Sequence, residues 1–325
     1  MSLSFWHKLK KPFFVLAPMA NVTDAAFRKI IAKYGKPDVF YTEFVSANGL
    51  ASAGREALMI DLKYDPSENP IIAQFFTDNP ENMHKAAQLA YELGFAGIDI
   101  NMGCPDKNVM KQGAGACLIK KPQLARELIK AAKEGGQGLP VSVKTRIGDT
   151  KNELKTWLSE LLTEEPATII IHCRTRKEMS KVPARWEHVK EAVEIAKGSN
   201  TLIVGNGDVN NLKEAEKKVA QTGCDGVMLG RAIFGNPWLF NKKILIEDIP
   251  IPKRLSVMLE HTELFEKLLG QHRSFHIMRK HYKAYANGFK EAKELRIALM
   301  STENAKEVKE VVKKFLKDKD LKDLT

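Results

Sequence analysis

The sequence predicts an α/β fold: a (β/α)8 TIM barrel followed by a small C-terminal helical bundle. Two observations carry this. Eight short apolar, β-rich strings recur up to residue 231, and most are followed by a stretch of helical period. Beyond residue 250 the strand signals stop and only helical periodicity remains. A chain of 325 residues has the length such a barrel with an appendage needs. An open doubly wound sheet is the structural competitor, because it is built from the same alternation.

The strings are FFVLAPM (13–19), VFYTEFV (39–45), IIAQFF (71–76), GIDINM (97–102), VSVKTRI (141–147), TIIIHCR (168–174), TLIVGN (201–206) and GVMLGR (226–231). Continuous apolar runs suit parallel strands covered on both faces. After the first, Thr23 and Asp24 stand where a helix cap belongs, and Phe27, Ile30, Ile31 and Tyr34 fall at i, i+3, i+4 and i+7. Met83, Ala86, Ala87, Ala90 and Leu93 repeat the pattern behind Pro80, as do Trp186, Val189, Val193 and Ala196 later. IPIPK (249–253) reads as a proline-punctuated linker. Leu255, Met258, Leu259, Thr262, Phe265 and Leu269 then share one helical face. A second helix carries Phe275, Met278, Tyr282, Tyr285 and Phe289, and a third Val308, Val311, Val312, Phe315 and Leu316. The expected division is a barrel domain of residues 1–245 and a helical domain of 246–325.

Composition excludes several classes. No run of 18 apolar residues appears, so no membrane span is expected. The start, MSLSFWHKLKKPFF, lacks the apolar core and small-residue cleavage site of a secretion signal. Cys104, Cys117, Cys173 and Cys224 form no CxxC and no cysteine–histidine cluster of zinc spacing. A reduced, cytoplasmic protein without a metal is expected. The net charge of +11 suits a polyanionic partner, although it also suits a merely lysine-rich surface. More than half of that excess lies in residues 251–325, where 17 Lys and Arg face 11 Asp and Glu. There His276, Arg279, Lys280, Lys283 and Lys290 form a stripe suited to phosphates or to plain solvation.

In barrels of this kind the chemistry sits at the C-terminal ends of the strands. Those ends carry Pro18-Met19, Gln74, Asn101 to Cys104, Lys144, His172 with Arg174, Asn206-Gly207-Asp208 and Gly230-Arg231. The glycines of GNGDV and GRAIFGNPW would let backbone N–H groups approach a phosphate, or would simply make tight turns. A short helix near Asn236-Pro237 and the Arg231 guanidinium would help the first. An inward Lys144 is costly unless it meets negative charge, such as a flavin ring edge or an enolate. In NMGCPDKNV (101–109), Gly103 and Pro105 hold Cys104 in a rigid turn. There it serves as packing or as an acid, since a thiol of pKa about 8.5 is mostly protonated near neutrality.

Six segments, in order and spacing, resemble the tRNA-dihydrouridine synthase family over residues 12–240: APMANVTDAAFR (17–28), INMGCPDKNVMKQGAGACL (100–118), VSVKTRIG (141–148), IHCRTR (171–176), VGNGDV (204–209) and GVMLGRAIFGNPWLF (226–240). The tail MRKHYKAYANGFKEAKELR (278–296) resembles it too. The resemblance implies an FMN-dependent oxidoreductase that reduces a loop uridine of tRNA, with NADPH as electron donor. It assigns Cys104 as the proton donor. It sets Pro18, Met19 and Ala20 against the flavin, Gln74, Lys144 and His172 at the ring edge, and Asn206, Gly207, Asp208, Gly230 and Arg231 at the phosphate end. Asn101 would face the uracil, and Lys107, Arg174, Arg185, Arg279, Lys280 and Lys283 the tRNA. A cytoplasmic monomer is expected, with neither metal nor membrane as partner.

Three features depart from the family's pattern. Asn21 stands where a glycine is usual, Cys173 follows the strand-six histidine where a glycine is common, and VPARW (182–186) maps to no motif. Three other readings remain, one of them a sugar-phosphate isomerase or aldolase using Lys144. An FMN barrel of the dihydroorotate dehydrogenase or old-yellow-enzyme type would act on a small molecule and would not need a basic helical tail. A non-catalytic tRNA-binding barrel would not need Cys104, Lys144 and Gln74.

Overall fold

The computed structural model describes residues 4–318. Its frame is an eight-stranded parallel sheet: β1 (Phe13–Leu16), β2 (Phe40–Ser46), β3 (Ile71–Phe76), β4 (Gly97–Met102), β5 (Val141–Arg146), β6 (Thr168–His172), β7 (Leu202–Asn206) and β8 (Gly226–Leu229). The order is β1-β8-β7-β6-β5-β4-β3-β2, so each strand from β2 to β8 lies beside its sequence neighbour and β8 lies beside β1. The two end strands meet at a single parallel bridge, Val15 with Val39. There Leu16 N–H donates to Val39 O at 3.1 Å and Asp38 N–H to Phe14 O at 2.9 Å. The sheet is thus curled and TIM-barrel-like, with one bridge rather than a full ladder between its ends, and helices follow it in the chain.

All eight predicted strands exist, but β1, β6 and β8 end two or three residues early. The reasons are local. Pro18 has no N–H to give a ladder. Arg174 N–H turns back to His172 O at 2.7 Å. Arg231 opens a 3₁₀ turn, Arg231–Ile233. The residues expected to carry chemistry therefore stand on turns just beyond the ladder. Inside the sheet, Phe13, Val15, Tyr41, Val204 and Met228 form a buried core, and Trp6 from the short helix Phe5–Lys8 joins it.

Contacts divide the chain into two compact units. The first runs through Ala20, Asp38–Lys63 and Asn69–Gly230 and holds all eight strands. The second comprises Asn21–Pro37, Tyr64–Glu68 and the chain from Arg231. In it, the helix Ala25–Tyr34 is capped by Asp24, whose side chain accepts from Phe27 N–H. Its Arg28 is fully buried and pairs with Glu68 at 2.5 Å. The six residues predicted to share a face of the first tail helix are all buried in the helix Ile251–Leu269.

Three expectations about the tail are corrected. The prolines of IPIPK start that helix rather than bridge to it: Pro250 is its N-cap and Pro252 lies in its first turn, where a missing N–H costs nothing. The second helix is Met278–Tyr285 and does not reach Phe289, because Ala286 leaves helical geometry at ψ 65 and Gly288 turns left-handed. A further helix, Ala292–Met300, buries Ala292, Leu295 and Leu299 ahead of the last one, Ala305–Asp318. Asn236-Pro237 begins a turn and not a helix. No described helix is long and apolar enough to cross a membrane.

Candidate active site

The strand registers bring the predicted polar residues together. Asn101 is paired with Lys144 across β4 and β5, Gln74 with Asp99 across β3 and β4, and His172 with Asn206 across β6 and β7. Side chains two apart in a strand share a face, so Asp99 and Asn101 look the same way. Gln74 is fully buried and uses both ends of its amide: Nε2 donates to Asp99 Oδ2 at 2.6 Å, and Oε1 accepts from Asn101 Nδ2 at 3.1 Å. Ser142 Oγ donates to the other Asp99 oxygen at 2.5 Å. Burial pushes the Asp99 carboxyl up to about 7 against the pull of Ser142, Gln74 and Lys144. Burial, helped by Arg146, brings the Lys144 amine down to about 8.

The turn carrying Cys104 is tied on every side. Asn101 Oδ1 accepts from Cys104 N–H at 2.9 Å and from Gly103 N–H at 3.2 Å. Gly103 O accepts from Arg146 Nε at 2.7 Å, and Cys104 O from Ala116 N–H at 3.0 Å. Asp106 then caps the helix Lys107–Lys111, at whose start Lys107 is exposed. The half-buried Cys104 packs, as Phe44 does, against the buried cluster of Phe76, Val109 and Ala114. Burial raises its thiol pKa, outweighing the Asp106 N–H bond and the charges of Lys144 and Arg146. Cys104 is therefore a thiol at neutral pH.

The other side of the sheet's rim is equally organised. Arg174 is buried: Nε donates to Val182 O at 2.5 Å, Nη1 to His172 Nε2 at 3.1 Å, and Nη2 to Asp208. Since a guanidinium only donates, His172 accepts through Nε2. Asp208 also accepts from Ala184 N–H at 2.9 Å. Arg185 N–H donates to Cys173 O at 3.0 Å, and its side chain pairs with Glu178 at 2.8 Å. The VPARW segment, which matched no motif, is the brace here: Trp186 Nε1 donates to Gly207 O at 2.8 Å. Its ring fills the place where a Gly205 Cβ would stand, so only glycine fits in β7 at that point. Asn206 ties β7 to β8 by donating to Met228 O at 2.8 Å.

After β1, Pro18 and Met19 are half-buried and Ala20 is exposed. Asn21, in place of the usual glycine, has φ 55, a left-handed conformation that asparagine tolerates. A Cβ on Gly230 would meet only Ala17 Cβ at 3.5 Å and Met19 Sδ at 3.6 Å, so packing does not require a glycine there. Cys173 and Cys224 are buried, with Cys173 pushed up to about 12 by burial, and both read as packing. Arg231, exposed, and Arg279, Lys280 and Lys283, on the helix Met278–Tyr285, belong to the second unit. Sequence reasoning missed Asp99, Ser142, Arg146 and Trp186. The alternation in IDIN, which puts Asp99 on the face of Asn101, was the one signal for any of them.

The fold defines a class, the TIM-barrel-like α/β proteins with polar residues gathered at the strand ends. The solved histamine dehydrogenase from Rhizobium sp. 4-9 matches with a TM-score of 0.54 at 14% identity, covering 77% of this chain and 48% of that one. A morphinone reductase mutant in complex with tetrahydroNAD matches at 0.51 and 11% identity, covering 70% of this chain and 85% of that one. Both show likeness of fold. Within that class the chain belongs to the dihydrouridine synthase (Dus) family, whose model matches residues 15–320. A Bacillus subtilis (strain 168) protein described as "Probable tRNA-dihydrouridine synthase 2" is 40% identical over 320 residues, 97% of each chain. A Staphylococcus aureus (strain Mu50) protein, "Probable tRNA-dihydrouridine synthase", is 39% identical over 321 residues, 97% of this chain and 96% of the relative.

Proposed function

We propose that this protein reduces the C5=C6 bond of a loop uridine in tRNA to 5,6-dihydrouridine, using FMN and NADPH. In this reading the curled sheet acts as a closed (β/α)8 barrel in a catalytic domain of residues 1–245, and residues 246–325 bind the tRNA. The observation that carries it is the turn holding Cys104 as a protonated thiol, in a chain of this family.

The residues present fit FMN. Pro18 and Met19, half-buried just beyond β1, and Gly230, whose absent side chain leaves the space beside Met19 and Ala17 open, offer an apolar surface for a flat ring. Lys144 and His172 are half-buried, and an amine there suits the negative edge of a flavin ring. Asn206, Gly207, Asp208 and Arg231 would serve the phosphate end. FMN held there and reduced by NADPH would supply the hydride that uracil C6 receives.

The chain's own groups do the rest. Asn101, fixed by Gln74, stands at the uracil. Cys104 gives its proton to C5, and burial keeps that proton on sulfur until it is needed. Phe44, Phe76 and Val109 keep water from its flank. Lys107, Arg185, Arg279, Lys280 and Lys283 meet phosphates, while Arg174 holds His172 and Asp208 in place. A base inside a duplex cannot reach a strand-end thiol, so a loop uridine is the substrate.

The test is an unmodified tRNA transcript incubated with the protein, FMN and NADPH, and digested for mass spectrometry. One or more uridines should gain two hydrogens, while free uridine, and dihydroorotate offered separately with NADP⁺ or a quinone as electron acceptor in place of NADPH, stay unchanged. Cys104→Ala should keep flavin absorbance and tRNA binding and lose turnover by roughly 10²–10⁴-fold. Turnover of dihydroorotate without tRNA reduction would replace this reading with the small-molecule one. A colourless protein that only bound tRNA would replace it with the non-catalytic one.

A further inference from the structure

The strand-end cluster contains a buried carboxylate that the reaction does not consume. Asp99 is fully buried in β4, two residues before Asn101. The direction of each bond in its chain can be worked out from both ends. At one end stand the backbone N–H groups of Gly103 and Cys104, which can only donate. Asn101 must therefore present its oxygen to them and turn its NH2 toward Gln74. Gln74 must then accept with Oε1, which turns its own NH2 away. That NH2 needs a buried acceptor, and the group it meets is Asp99 Oδ2 at 2.6 Å. Ser142 Oγ, donating at 2.5 Å, fixes the other carboxyl oxygen. Tyr41 OH lies 3.3 Å from that hydroxyl.

We propose that Asp99 is a positioning residue: as the acceptor at the end of this chain it sets which way the Gln74 and Asn101 amides point, and so holds the turn that carries Cys104. The inference deepens the reading of Cys104 as proton donor and rests on it. What matters in it is the acceptor, not the charge. An asparagine at 99 can still accept from Gln74 with its oxygen and donate from its NH2 to Ser142 Oγ. Ser142 can then give its own proton to Ile98 O, which lies 3.3 Å away. A leucine at 99 is close in size and offers nothing to Gln74.

Three measurements on Asp99→Asn and Asp99→Leu separate the possibilities: kcat and KM with a tRNA transcript, the iodoacetamide alkylation rate of Cys104 followed by peptide mass spectrometry at fixed pH, and thermal melting. Asp99→Asn should stay within about threefold of the parent in kcat and in alkylation rate. Asp99→Leu should lose kcat by about 10- to 100-fold with KM for tRNA unchanged, and its Cys104 alkylation rate should change several-fold. Should Asp99→Leu fail to fold, Asp99→Thr, too short to reach both neighbours, carries the same expectation. A lowered melting temperature with kcat and alkylation unchanged on the folded protein would overturn the proposal. So would an Asp99→Asn variant as damaged as Asp99→Leu, which would make the charge the active feature. The alkylation contrast needs no tRNA, so it stands or falls separately from the assignment of the substrate.

Discussion

Two buried polar clusters in this molecule are built on opposite terms. At the strand ends, Asp99, Gln74, Asn101 and Ser142 are each hydrogen-bonded, and the bonds that run from the Cys104 turn through Asn101 and Gln74 to Asp99 have a defined direction. In the helical unit, His261 and His281 are fully buried, yet among the described residues none of their four ring nitrogens has a hydrogen-bond partner. The rings behave as aromatic filling instead. Phe27 stacks on His261 at 4.7 Å and meets His281 edge-on at 4.8 Å, and the two imidazoles lie 4.7 Å apart. Satisfied groups give position, which a proton donor needs. Unsatisfied imidazoles give packing, and they tie stability to pH because the charged form has no support there.

The largest test of this contrast lies within the helical unit itself, where one buried polar pair is fully satisfied. Arg28 Nε meets Glu68 Oε2 at 2.5 Å and Nη1 donates to Thr23 O at 2.7 Å, while Glu68 Oε1 accepts from Asp65 N–H at 2.8 Å. Removing one partner strands the other charge. Arg28→Met should destabilise by about 3–5 kcal/mol in urea unfolding, and Arg28→Met with Glu68→Leu should recover much of that loss. A loss under about 1 kcal/mol in the single variant would show that this pair is not what holds Tyr64–Glu68 to the helix.

The second test is the pH dependence of the histidine pair. Burial alone lowers His261 to about 3, and burial with the His261 and Lys280 charges lowers His281 well below the ordinary 6.5. A depressed histidine binds its proton in the unfolded chain first. Its contribution is intact above pH 6.5 and is lost as pH falls, by about 1.4 kcal/mol per pH unit for each ring. Asp24 opposes this. Its carboxyl, held up to about 6 mainly by burial, takes its proton in the folded state below that pH. The two rings together cost about 3 kcal/mol at pH 5.5 relative to pH 8. Asp24 and Asp99, whose carboxyl burial holds up to about 7, oppose that loss in any variant that keeps them, so the difference between parent and histidine variant reports the rings alone. The double variant His261→Phe with His281→Phe, unfolded in parallel, should lack that loss. Equal pH profiles for the two proteins would mean that the imidazoles gain protons without unfolding.

Much of this was legible in the chain, for a definite reason. Periodicity reports which face of an element is buried, and all eight strands, the Asp24 cap and the buried face of Ile251–Leu269 follow from it. The helix Ala292–Met300 escaped because its buried set, Ala292, Leu295 and Leu299, spans barely two turns. Partnership is a different kind of information. Nothing in the spacing pairs Arg28 with Glu68, forty residues on, or sends Trp186 against Gly205. Cys104, Asn101, Gln74 and Lys144 were readable as polar residues at strand ends. That Gln74 is bound at both ends of its amide, and that Arg174 is buried between Val182, His172 and Asp208, needed coordinates.

The same distinction between engaged and free groups sharpens the smallest prediction, on the basic stripe of the tail. Arg279 Nη2 pairs with Glu303 at 2.9 Å, and His276 Nε2 meets the other oxygen of that carboxylate at 2.7 Å. Lys283, one turn further along the helix Met278–Tyr285, is exposed. A phosphate must compete with Glu303 for Arg279 but not for Lys283. Lys283→Glu should therefore weaken tRNA binding and lower the slope of log affinity against log salt by about one, with Arg279→Ala doing less. Lys280→Glu, on the same helix, should also weaken tRNA binding if the stripe is continuous. Binding that ignores salt, or equal losses at Arg279 and Lys283, would mean that the tRNA lies on some other surface, since a guanidinium already shared with a carboxylate cannot match an exposed ammonium with no such partner among the described residues in releasing counterions.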